Sequence, residues 1–107
     1  MIPRIFQKIP CSAITPEGYL RRQLELQAAG LTGNISSLWG DLSDNSGWLG
    51  GKGESWERGP YFMDGLLPLG ALLQDENLEK QSLKWVNAVI ASQREDGFFG
   101  PPWNRDW

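Results

Sequence analysis

Indoles, carboxylates and one guanidinium are crowded into Gly47-Trp48-Leu49-Gly50-Gly51-Lys52-Gly53-Glu54-Ser55-Trp56-Glu57-Arg58. An indole is a broad apolar plane with a single N–H donor, so Trp48 and Trp56 are equipped to stack on the apolar face of a furanose or pyranose ring. Glu54 and Glu57 can accept hydrogen bonds from hydroxyl groups. Arg58 can pair with one of them or hold an acidic group. Trp103, Arg105 and Asp106 form a second set close to the C-terminus, placed to meet the first across a common mouth. Together the two sets have the composition of a carbohydrate-binding rim. Each also has a plainer use: the indoles can plug the gap between a loop and helix ends, and a Glu–Arg pair can tie the loop to the next helix. Asp64 stands in an apolar run, where the helix dipole or Arg58 would stabilise it, and a structural role is expected. Tyr19 and Tyr61 are expected to pack with their hydroxyls at the surface.

No residue is expected to be catalytic. Glycoside hydrolysis needs an acid and a base or nucleophile held at a defined separation, and no two carboxylates here have a spacing that enforces one. Histidine is absent, which removes imidazole triads, imidazole metal ligands and the usual proton shuttle near neutral pH. The single cysteine, Cys11, leaves no internal disulfide and no Cys-pair zinc motif. A buried or idle thiol is expected there, and no metal or cofactor within these residues.

The totals narrow the field further. A chain of 107 residues makes one domain at most. Its 10 basic and 13 acidic side chains give a net charge of -3, with no basic block, so nucleic acid and anionic membrane surfaces lack their electrostatic footprint. No apolar run is long enough to span a bilayer. Met1 to Pro10 contains no uninterrupted apolar stretch of the kind a secretory signal requires.

The elements that must position these residues read as helices. Thr15-Pro16-Glu17 predicts a helix start, with Thr15 as cap and Pro16 in the first position. Leu20, Leu24, Ala28 and Leu31 recur at helical steps, and Gly30 is the expected C-terminal cap. Residues 34–39 predict one more turn, and 40–58 a long loop. A second helix is predicted to open near Gly59-Pro60, with Phe62, Leu66, Leu69 and Leu73 in one stripe and a kink at Pro68. Asp75 is expected to cap a further helix running to about Gln93, burying Leu78, Ser82, Trp85 or Val86, Val89 and Ile90. Two helices joined by so short a break are antiparallel neighbours. The fold class is all-α, built of antiparallel helical hairpins. The helix around Leu66 is apolar on more sides than one partner can cover, and the chain ends among aromatic loop residues. It therefore reads as the opening piece of a larger helical toroid.

Gln93-Arg94-Glu95-Asp96-Gly97-Phe98-Phe99-Gly100 closes the last helix, with Asp96-Gly97 suited to a tight turn and Gln93 to reach back to helix-end carbonyls. Similar endings occur in several helical toroids, terpene cyclases among them. The ordered series is more specific: Pro16-Glu17-Gly18-Tyr19-Leu20-Arg21-Arg22-Gln23-Leu24, Gly30-Leu31-Thr32-Gly33, Gly47-Trp48-Leu49-Gly50-Gly51, Gly53-Glu54-Ser55-Trp56-Glu57-Arg58-Gly59-Pro60-Tyr61, Leu66-Leu67-Pro68-Leu69, then the segment from Gln93 to Pro101. Over residues 14–107 it resembles the N-terminal part of the β-L-arabinofuranosidases of glycoside hydrolase family 127. The resemblance implies an (α/α)6 barrel, a sugar site at the mouth formed by inter-helix loops, and action on plant or microbial glycans. It makes residues 1–107 the N-terminal part of one catalytic domain. It further implies a zinc-bound cysteine cluster with a glutamate, and a second glutamate as proton donor, all downstream of this segment. Cys11 matches that cysteine in neither position nor context, and Trp56-Glu57-Arg58 departs from the Asp-rich form of the arabinofuranosidase branch.

Two rivals accompany this expectation. A self-contained carbohydrate-binding or scaffold module would bind sugar without turnover. Another helical-toroid enzyme, such as an unsaturated uronyl hydrolase, would prefer acidic sugars through Arg58.

Overall fold

The computed structural model describes residues 6–10 and 13–104. Four α-helices follow one another: α1 Gly18–Ala29, α2 Leu31–Leu38, α3 Arg58–Leu73 and α4 Glu76–Ala91. Short 3-10 turns at Gly40–Leu42, Gly47–Leu49 and Pro102–Asn104 shape the connections. The class is all-α, with no strand among the described residues.

α1 begins later than Thr15-Pro16 predicts. Glu17 is its N-cap, without a side-chain capping bond. Gly18 has a φ of +53°, a left-handed conformation open to glycine and foreign to a regular helix, so the helix propagates only beyond it. Its apolar stripe is also shallower than expected: Leu24 and Ala28 are half-buried, while Leu20 and Leu31 are exposed. Gly30 ends α1 through its N–H to the Leu26 carbonyl and at once precedes α2. The Asn34 amide bridges this break by donating to the carbonyls of Ala29 (3.0 Å) and Gly30 (2.8 Å). A β-carbon at Gly33 would lie 1.9 Å from the Ala28 carbonyl oxygen, so α2 turns this tightly on α1 only because that position is glycine. The single turn expected at 34–39 is thus an eight-residue helix.

α3 and α4 form the central hairpin. Asp75 Oδ1 accepts from the amides of Asn77 (2.9 Å) and Leu78 (3.1 Å), as a helix N-cap should. Gly70 lies against Leu78 and Glu79, and the Phe62 ring meets Trp85 edge-on at 5.9 Å. Contact of 70 with 78 and of 62 with 85 is the register of an antiparallel pair. The core joins Phe62, Leu66 and Leu69 of α3 to Leu78 and Trp85 of α4 and to Leu42 of the loop. Leu66 is fully buried. α3 runs through Pro68; the donor that proline lacks would have served the Asp64 carbonyl, and Asp64 is exposed, where solvent can replace it. Ile90, expected inside, is 65% exposed, because it lines an open cleft between α3 and α4 that no further element covers among the described residues.

Candidate functional site

The loop between α2 and α3 is folded on itself. Ser46 is completely buried, and its carbonyl receives the amides of Leu49 (3.0 Å) and Gly51 (2.8 Å). The Gly47 amide reaches the Glu54 carbonyl (2.9 Å), and that of Gly53 reaches the Asn45 carbonyl (2.7 Å). At Gly51 an added β-carbon would sit 2.2 Å from the Asn45 carbonyl oxygen. Two strands of loop therefore run in backbone contact, and glycine is what allows it.

This loop sets the surroundings of Trp48, Glu54, Trp56 and Arg58. Trp48 points inward, its ring between Gly59 and Gly100. β-Carbons built at those glycines would come within 2.9 Å and 3.0 Å of the indole. Its Nε1–H donates to the Trp56 carbonyl at 2.8 Å. Trp48 is thus a wedge joining loop, α3 and the segment after α4. Trp56 faces outward at 58% exposure. Glu54 Oε1 accepts from the amides of Trp56 (2.9 Å) and Glu57 (3.0 Å), which sets the entry into α3. Its Oε2 is buried without a hydrogen-bond partner. Glu57 is exposed.

Arg58 does not pair with Glu54 or Glu57, the partners expected from their proximity in sequence. Its guanidinium binds Asp41 Oδ2 and lies over the Trp39 ring, 4.8 Å from the centroid. Asp41 Oδ1 in turn accepts from the Glu54 amide at 3.3 Å. The folded loop brings residue 41 beside residue 58, a juxtaposition that sequence separation hides. Asp64, exposed on α3, is not the partner of this arginine.

Of the second set, Trp103 meets the first. Trp103, 49% exposed, lies against Gly47, where a β-carbon would be 3.0 Å from its ring. Asn104 clasps Ser55: the Ser55 hydroxyl donates to Asn104 Oδ1 (3.0 Å), and Asn104 Nδ2 donates to the Ser55 carbonyl (2.6 Å). Asp106, Arg105 and Cys11 lie outside the described residues. The chain returns through the expected Asp96-Gly97 turn, where Gly97 has a φ of +88° and Asp96 Oδ1 accepts from the Phe98 amide (3.1 Å). The end of α4 is satisfied not by the Gln93 side chain but by the amides of Ser92 and Gln93. The Ser92 hydroxyl also accepts from the Gly100 amide at 2.8 Å.

Residue type and spacing do not single out Trp39, Asp41, Ser55 or Asn104. For Trp39 a signal exists, an indole beside glycine, the same context that marks Trp48. Tyr19 and Tyr61 are exposed over most of their surface, rings included.

A second feature flanks the rim. A cleft of about 340 Å³ opens between α3 and α4, walled by Pro60, Met63, Leu67, Val86, Val89 and Ile90. Among the described residues no cluster of His, Cys, Asp and Glu could hold a metal ion; a zinc site of the kind the resemblance implies would draw its ligands from elsewhere. No helix of the described residues is long and apolar enough to cross a membrane. No protein-family model, curated protein or solved structure matches this chain.

Proposed function

We propose that this chain supplies part of the sugar-binding rim of a glycoside hydrolase-like helical domain, with an (α/α)6 barrel as its fold. The reading rests on the resemblance of the ordered motifs to those of the β-L-arabinofuranosidases of family 127, and the carrying observation is the rim itself. Exposed Trp56 and Trp103 stand on two segments, the loop before α3 and the turn after α4, which the Ser55–Asn104 hydrogen bonds join. Exposed indoles beside the exposed Glu57 carboxylate suit a ring with one apolar face and hydroxyls at its edge.

The all-apolar cleft between α3 and α4 favours a helical layer that packs against further helices over a self-contained binding module. Two carboxylates of the rim are engaged in positioning: Glu54 holds amides and Asp41 holds Arg58. They bind and orient, and the reaction belongs to groups that the resemblance places downstream. Full-length activity on plant or microbial glycans, with zinc, follows from that resemblance.

Titration of the chain with methyl β-L-arabinofuranoside, followed by tryptophan fluorescence and calorimetry, tests the reading. Saturable binding at roughly millimolar affinity is expected, without turnover by this chain alone. A flat titration with this glycoside and with neutral and acidic monosaccharides would remove the rim as a sugar site.

A further inference from the structure

Trp39 is held in an unusual way for an exposed indole. It terminates α2 in an extended conformation, with φ -129° and ψ 113°, and is 42% exposed. Arg58 covers one of its faces at 4.8 Å. That guanidinium is itself clamped by Asp41, whose other oxygen accepts from the Glu54 amide. A continuous chain of contacts therefore runs from Trp39 through Arg58, Asp41 and Glu54 to Trp56. An indole that merely fills space needs no such fixture. One whose far face must be presented at a set angle does, because ordering it beforehand removes the entropy cost from binding.

We infer that Trp39 is a second stacking platform, so that the rim takes an oligosaccharide of two or more residues, one against Trp56 and the next against the exposed surface of Trp39. The inference rests on the rim being a sugar site. The clamp also assigns Arg58 a positioning role. Its charge is balanced by Asp41 and its plane occupied by the indole, which leaves it poorly placed to select acidic sugars.

Calorimetry on the full chain, with methyl β-L-arabinofuranoside and arabinofuranosyl di- and trisaccharides, separates the two levels. The expected result is a disaccharide bound about tenfold more tightly than the monosaccharide, the scale of one aromatic contact. In Trp39→Ala that ratio should fall to about one, by the same reasoning. Trp39→Phe keeps a ring beneath Arg58 and should retain part of the gain, and it remains readable should the alanine variant fail to fold. A wild-type ratio near one, with the monosaccharide still bound, overturns the second platform and leaves the rim. A ratio that survives Trp39→Ala also overturns it. Loss of all binding by the wild type removes both.

Discussion

At the scale of single residues, two indoles eight positions apart have opposite duties. Trp48 is a structural wedge, donating to the Trp56 carbonyl and filling the space above two glycines. Trp56 lies mostly in solvent. Trp48→Phe should therefore destabilise the fold by about 1–3 kcal/mol, through the lost hydrogen bond and the void left by the smaller ring; urea denaturation measures this. Under the proposed function, Trp56→Ala should weaken arabinofuranoside binding about tenfold while the chain still folds. The sequence presents both as tryptophans in glycine-rich surroundings, equally fit to stack. Which of them faces inward depends on where Gly59 and Gly100 come to lie, and no spacing rule contains that. Arg58 carries the same lesson. Proximity along the chain points to Glu54 or Glu57, yet its partner lies 17 positions away, because the loop doubles back.

At the scale of elements, the central hairpin is the most legible part of the molecule. The stripe of Phe62, Leu66 and Leu69 is buried as its period demands, and Asp75 caps α4 as its residue type predicts. Asp75→Ala should cost about 1 kcal/mol of stability, while Asp75→Asn, which can still cap, should cost much less. Thermal melts followed by circular dichroism distinguish them, and equal losses would point to the charge rather than the cap. The amphipathic pattern of α1 is less informative. Leu20 and Leu31 fit the helical period yet remain exposed, because a period defines a face without saying how much of it a neighbour covers. The loop of 40–57 acquires short 3-10 turns from local backbone bonding that composition leaves open.

The whole molecule is a slab. Its extents are 45 × 44 × 20 Å, and its radius of gyration is 16.6 Å, against about 13 Å for a globular chain of this length. A plate roughly two helices thick leaves much apolar surface uncovered, and Leu67 and Ile90 beside the α3–α4 cleft are the clearest instances. Such a surface promotes association. Replacing both by lysine should abolish concentration-dependent self-association in analytical ultracentrifugation and change stability by no more than about 1 kcal/mol in total. Persistent association of that variant would place the sticky surface elsewhere. Under the proposed barrel this same face packs against further helices.

By itself the sequence determined the helical class, the α3–α4 hairpin and its cap, the Asp96-Gly97 turn, and the loop in which the tryptophans collect. These depend on local periodicity, capping and glycine chemistry, each written within a few residues. Only the tertiary structure decided that Trp48 is wedged inward and Trp56 displayed, that Asp41 takes Arg58 and sets it against Trp39, and that Asn104 clasps Ser55. Those last two pairings join residues 17 and 49 positions apart. They turn on which surfaces come within hydrogen-bond reach once the chain has closed on itself.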